Sequence, residues 1–277
     1  MITISAFGDE IAADLKTQMD VCEANGVRCI DVRAIDKVNV SHMSLADVRE
    51  HRRQMDGRGF AVPCIGSPLG KIKMDDDFDA HLELLRHTCE VAKAFDTSLI
   101  RMFSFYASDG ASIADQRDGV MERLEAMVKV AESADIVLLH ENERGIYGAK
   151  PEGVRDIFAT IRSKHLKGIF DPANFVAEGL RPYDEAWKAG LDELTEYFHI
   201  KDMVPGAETC VPAGQGAGQI PEIFADLKRR NWSGYMTLEP HMAHGGQFAG
   251  FTGPELFAKA ADGLKATLQQ AGLEYKV

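Results

Sequence analysis

An α/β barrel of eight parallel strands is the fold this sequence predicts, and three observations predict it. Eight short apolar, β-branched runs recur; amphipathic stretches of helical length separate them; and the runs hardly alternate with polar residues. Strands of that kind, each followed by a helix, form parallel sheets covered on the outer face, and eight repeats in about 250 residues suit a closed (β/α)8 TIM barrel. The 277 residues then read as one barrel domain, 1–277.

The first run is 2–7 (ITISAF), and GDEI at 8–11 follows it. A doubly wound dinucleotide-binding sheet would carry a glycine-rich phosphate turn there, whereas this stretch offers one glycine and two acids. The next runs are 28–33 (RCIDVR), 60–67 (FAVPCIGS) and 98–103 (SLIRMF), the last preceded by Leu82, Leu85 and Cys89 at helical spacing. The fifth, 136–141 (IVLLHE), follows a helix carrying Val120, Leu124, Met127 and Val130. Runs 168–171 (GIFD), 197–202 (YFHIKD) and 234–239 (GYMTLE) complete the set, with Ile220, Ile223, Phe224 and Leu227 on the helix before the eighth. Two irregular pieces, 203–219 and 241–253, are placed by this scheme at the barrel mouth, where long loops are usually functional.

Composition narrows the setting. With 45% hydrophobic and 27% charged residues, the chain can bury a large core. A formal net charge of −12 opposes nucleic-acid phosphates and anionic membranes, so neither is expected as a partner. No apolar run approaches 18 residues, and MITISAFGDEI lacks a basic region leading into an apolar stretch, so secretion and membrane spanning are not expected. Five scattered cysteines (Cys22, Cys29, Cys64, Cys89, Cys210), without a CxxC pair, suit reduced thiols and a cytoplasmic location. Nothing identifies an interface, and homo-oligomerisation stays open.

Barrel enzymes keep their chemistry at the C-terminal strand ends. Here those ends hold Glu10, Arg33, Ser67, Arg101, Glu141, Asp171, His199 with Lys201 and Asp202, and Glu239. Period-two alternation turns Glu141, Asp171, His199 and Glu239 toward one axis from four successive strands. Three carboxylates and an imidazole suit a divalent ion, most simply six-coordinate Mn²⁺, with Mg²⁺, Co²⁺ and Zn²⁺ as alternatives. Without a cation the carboxylates would repel one another, and one would take up a proton. Any one of these residues alone also reads as a helix cap or rim ion pair, but capping favours Ser, Thr, Asn and Asp over Glu and His.

At these residues the sequence resembles the sugar phosphate isomerase/epimerase family, with its xylose isomerase-like barrel, also called the AP endonuclease family 2 fold. The resemblance runs through GDEI (8–11), SPLGK (67–71), IRMFSFY (100–106), HENERGIYG (140–148), FDPANF (170–175), HIKD (199–202), VPAGQGAGQI (211–220) and LEPH (238–241). It implies metal ligands at Glu141, Asp171, His199 and Glu239, the four that alternation selects. In ketose-converting members the two glutamates also move a proton through a cis-enediolate, which implies catalytic roles for Glu141 and Glu239. Those members usually carry a histidine and an arginine, gripping the sugar, where this chain has Asn174 and Pro205. Lys201, one inward position beyond His199, is the third catalytic candidate, as a clamp or proton donor; its alternative is a surface lysine.

Arg101, Asn174, His241 and Glu143 are the substrate-binding candidates. Arg101 and Arg33 can bind an acidic substrate or pair with Asp31 or Glu10, and Glu143 can support Glu141 or lie on the rim. Gly214, Gly216 and Gly218, ahead of a helix, offer N–H groups for phosphate or simply let a loop turn. Phe103, Phe105 and Tyr106, with Trp187 and Trp232, supply aromatic walls or packing. The expected function is a metal-dependent isomerase or epimerase of a small sugar or keto-sugar derivative. A lyase on the same scaffold, acting on a keto-inositol or a 3-keto-glycoside, is the alternative. An abasic-site endonuclease and a non-catalytic sugar-binding barrel rank below.

Overall fold

The computed structural model describes residues 1–244 and 251–276. The strands are β1 (Ile2–Phe7), β2 (Ile30–Asp31), the antiparallel pair β3 (Ala34–Ile35) and β4 (Val38–Asn39), β5 (Leu99–Met102), β6 (Val137–Glu141), β7 (Leu166–Phe170), β8 (Thr195–Ile200), β9 (Gly234–Leu238) and β10 (Tyr275–Lys276). One parallel sheet runs in the order β10-β1-β9-β8-β7-β6-β5. β2 joins the C-terminal end of β1 (Phe7↔Asp31), while β10 lies beside its start (Ile2↔Tyr275).

The third predicted strand, 60–67, does not form a ladder. Pro63 has no N–H to give, so this stretch joins its neighbours through single bridges, Cys29↔Ala61, Val32↔Ile65 and Ile65↔Ile100. Those bridges nevertheless close the barrel: Ile65 N–H donates to Leu99 O and accepts Arg101 N–H on its carbonyl, both at 2.9 Å. A second correction concerns the stretch between β7 and β8. A full amphipathic helix does not follow β7; there is the six-residue α6 and a series of tight helical turns.

The helices are α1 (Leu15–Ala24), α2 (Leu45–Gly57), α3 (Phe78–Ala94), α4 (Arg117–Ala134), α5 (Pro151–Thr160), α6 (Pro172–Ala177), α7 (Ile220–Arg229) and α8 (Pro254–Gln270). Asp14, Ser44, Asp77 and Asp171 cap α1, α2, α3 and α6 by accepting backbone N–H groups, and α5, α7 and α8 begin with a proline in the first turn. On α7 the predicted stripe of Ile220, Ile223, Phe224 and Leu227 is buried against the barrel, at about 1.5–3 kcal/mol per side chain. Alternation sorts the strands as expected: Leu138 and Phe198 face the helical layer, while Cys64, Leu139, Ile169 and Tyr197 plug the lumen below the mouth. Among the described residues, no helix is long and apolar enough to cross a membrane.

Candidate metal centre at the barrel mouth

Each of the four predicted ligands reaches the lumen by a different local route. Glu141 ends β6 on the inward face shared by Val137 and Leu139, and His199 lies inward on β8. Glu239 follows β9, its N–H donating to Ile200 O at 3.2 Å. Asp171 follows β7 and uses its two oxygens for two tasks. Oδ1 caps α6 by accepting the Asn174 N–H at 3.0 Å, while Oδ2 faces the cluster. Asn142 fixes that turn, accepting Asp171 N–H at 2.9 Å and donating to Asp171 O at 3.0 Å.

Donor atoms of Glu141, Asp171, His199 and Glu239 lie within 4.8 Å of one another, and all four side chains are buried. His199 Nδ1 is 3.0 Å from Glu141 Oε1 and 3.4 Å from Glu239 Oε2. Yet Asp171 Oδ2, Glu239 Oε2 and both nitrogens of His199 have no partner in hydrogen-bonding geometry. Buried polar atoms are rarely left so, and several aimed at one point fit an ion better than one another. Ligands about 2.1 Å from a common ion stand at most about 4.2 Å apart, so a set gathered within 4.8 Å needs only a small inward adjustment to close on one. The cluster can hold a divalent metal.

Cations ring the carboxylates. Arg101 Nη1 reaches Glu141 Oε2 at 3.2 Å, and its other nitrogens donate to Ser67 O and Gly66 O, so the irregular 60–67 stretch holds it in place. Arg33 binds Asp9 at 2.7 Å and Glu239 Oε1 at 3.1 Å. Lys201 Nζ lies 2.9 Å from Asp171 Oδ2 and 3.7 Å from Glu239 Oε2, buried rather than on the surface. Burial opposes charge on His199, but Glu141 and Glu239 outweigh it and raise the imidazole to about 9. Burial also works against Glu141, whose neighbour His199 brings it to about 2. Asp171 goes the other way: burial, seconded by the two glutamates, lifts it to about 7 despite Lys201. The carboxylates thus meet one another's charge as well as the cations, and a divalent ion would relieve that conflict.

Below this centre lies a further buried acid, Asp31, bound by Ser5 Oγ at 2.7 Å, Tyr197 Oη at 2.8 and 2.9 Å and Thr237 Oγ1 at 2.9 Å. Of the two acids considered as structural partners for the arginines, Asp31 is taken by these hydroxyls, whereas Glu10 Oε1 lies 3.8 Å from Arg33 Nη2. Above, the Asp202 carboxylate accepts the N–H groups of Met203, Gly214, Gly216 and Gly218 at 2.8–3.0 Å. The glycine N–H groups considered for phosphate are spent on this internal acid. A Cβ at position 216 would lie 2.3 Å from Asp202 Oδ1, which is why the loop needs glycine there.

A mouth cavity of about 660 Å³ lies over the cluster, with Arg33, Arg101, Asn174, Lys201, Glu239 and His241 among its walls. All four substrate-binding candidates, Arg101, Asn174, His241 and Glu143, line the same space as Glu239. Asn174 Nδ2 also donates to Asn142 O at 2.8 Å. Glu143 stands toward the outer wall of the cavity, where it pairs with Lys71 at 2.9 Å rather than with Glu141. His244 is exposed beside Glu208, and Trp187 and Trp232 pack behind the sheet around Phe198. Residues 245–250 of the predicted 241–253 loop lie outside the described residues. Sequence reasoning passed over Asp9, Ser5, Tyr197 and Thr237. The last two stand on inward faces, a signal that could have flagged them.

A family model described as a xylose isomerase-like TIM barrel matches residues 19–270. Among solved structures, a D-tagatose 3-epimerase-like protein superposes with a TM-score of 0.78 at 17% identity, over 98% of each chain. The probable 3-DHS dehydratase AsbF, involved in petrobactin synthesis in Bacillus anthracis, gives 0.74 at 15% identity, over 95% of this chain and 98% of that one. The 3-keto-D-glucoside 4-epimerase YcjR from E. coli, in its apo form, gives 0.67 at 13%, over 97% and 98%. Among curated proteins none gives a significant match. Likeness at these identities is likeness of fold, but the family match spans most of the sequence. The chain belongs to the xylose isomerase-like TIM barrel family.

Proposed function

We propose that this protein is a divalent-metal-dependent isomerase or epimerase of a small sugar or keto-sugar derivative. The observation that carries the reading is the convergence of buried ligand-type atoms from Glu141, Asp171, His199 and Glu239 within 4.8 Å of one another at the cavity floor. A divalent ion there, most simply Mn²⁺ for this oxygen-rich set, would polarise a carbonyl and its neighbouring hydroxyl and lower the cost of the adjacent carbanion. Glu141 and Glu239 come from β6 and from the end of β9, with β7 and β8 between them. Each can address a different face of a bound ring, one carboxylate taking the proton and the other returning it. Lys201 holds a fixed positive charge beside Asp171 and Glu239, placed to answer negative charge developing on a substrate oxygen.

A lyase is the second reading, and Lys201 favours it. A buried ammonium next to the acid pair can donate a hydrogen bond to a departing β-oxygen, and stabilising that leaving group would turn inversion into elimination. Asn174 and Pro205 leave the sugar without the grip usual in ketose epimerases, and a probable dehydratase shares the fold.

Metal analysis of protein purified without chelator, followed by incubation in D₂O with keto sugars, keto inositols and 3-keto-glycosides, tests the reading. We expect about one ion per chain and deuterium next to the carbonyl in at least one substrate class. A new C=C absorbance would select the lyase. Metal-free protein that exchanges no proton in any class would contradict both.

A further inference from the structure

Glu10 ends the one-turn helix Gly8–Glu10 just after β1, and its side chain is fully buried. Its contacts tie the start of the barrel to the chain beyond β9. Oε2 accepts the His241 N–H at 2.9 Å and the Thr252 hydroxyl at 2.7 Å, and the Glu10 carbonyl accepts the N–H groups of Thr252 and Gly253 at 3.0 and 2.8 Å. Oε1 lies 3.0 Å from His241 Nε2.

His241 has a φ of +45°, a left-handed conformation that residues with a Cβ seldom adopt and keep only where their surroundings impose it. Here its N–H is taken by Glu10, and its carbonyl accepts the Cys210 N–H at 3.0 Å. The turn sends the ring into the mouth cavity, with Nε2 3.3 Å from Glu239 Oε1. Glu239 therefore meets the candidate metal centre with Oε2 and His241 with Oε1.

We propose that Glu10 is a positioning residue: it holds His241 in its left-handed turn so that the imidazole faces the outer oxygen of Glu239 and the substrate space. The proposal rests on the proton-transfer reading of the site given above. Glu10, Glu239 and His241 also form a three-donor set of metal-binding size, but Arg33 Nη1 already donates to Glu239 Oε1 at 3.1 Å. Arg33 Nη2 also lies 3.8 Å from Glu10 Oε1, so its guanidinium already supplies positive charge to both carboxylates of that set.

Glu10→Gln keeps one acceptor for the His241 N–H and turns the other oxygen into a donor facing Nε2. In metal-loaded protein it should keep the wild-type metal content, lower kcat for proton exchange about 10- to 100-fold in the range of acid–base contributions, and leave KM nearly unchanged. The double variant with His241→Gln should be no slower than His241→Gln alone, because the two residues act as a unit. Wild-type kcat in Glu10→Gln, losses that multiply in the double variant, or a second bound metal equivalent that Glu10→Gln removes would each overturn the proposal. Relaxation of ¹³C-labelled histidine rings decides it independently of activity. The His241 ring should be rigid in the wild type and mobile in Glu10→Gln; equal order in both overturns the positioning role, even if no substrate is ever found.

Discussion

Two buried acidic clusters sit one above the other inside this barrel, and their polar atoms are answered differently. In the lower, three hydroxyls donate to Asp31, so its carboxylate is satisfied although the residue is fully buried. In the upper, Glu141, Asp171, His199 and Glu239 are buried to nearly the same degree, but Asp171 Oδ2 and Glu239 Oε2 meet the charges of Lys201 and His199 outside hydrogen-bonding geometry. Burial of an acid does not by itself mark a site. Several ligand-type atoms gathered at one point beneath a cavity, and met by charge alone, do, because a divalent ion can take the place of those contacts.

The largest effect that would break this contrast is catalytic. Glu141→Gln should cost about 10²–10⁴-fold in turnover, measured by solvent-deuterium exchange on the folded, metal-loaded protein. Turnover unchanged in Glu141→Gln would place the chemistry elsewhere. Asp31→Ala should act on stability instead. Leaving Ser5, Tyr197 and Thr237 without their acceptor should cost about 3 kcal/mol in denaturant unfolding, with metal content preserved in the folded protein. Chelation comes next: stripping an ion present at 100 times its Kd should remove about 2.7 kcal/mol, read as a lower Tm, and the loss should vanish in His199→Ala. The smallest effect is Thr237→Val, which removes one of Asp31's donors and should cost about 1 kcal/mol. A cost as large as that of Asp31→Ala would mean the lower cluster depends on a single contact.

Much of the upper cluster was legible in the sequence because it follows from period two. Once β6 to β9 are recognised, alternation alone turns Glu141, His199 and Glu239 inward, and Asp171, although it caps α6, still sends one oxygen the same way. The half of the barrel built from β2, residues 60–67 and β5 was harder to read. Pro63 breaks the ladder there, and Arg101 is held by backbone carbonyls of Gly66 and Ser67, which carry no residue-type signal. Long-range pairings were equally hidden. Arg33 meets Asp9 across 24 positions and Glu239 across 206, and nothing local couples such residues. The glycines at 214, 216 and 218 show a loop that must bend, but not that it bends around Asp202.

The central claim is that the carboxylates and imidazole of the upper cluster converge on one divalent ion. Anomalous diffraction from a crystal equilibrated with Mn²⁺ tests it most directly. The account predicts a single strong peak within about 2.0–2.3 Å of donor atoms from Glu141, Asp171, His199 and Glu239. No peak at saturating metal, or one lodged between Glu10 and His241 with the four-residue centre empty, would contradict it.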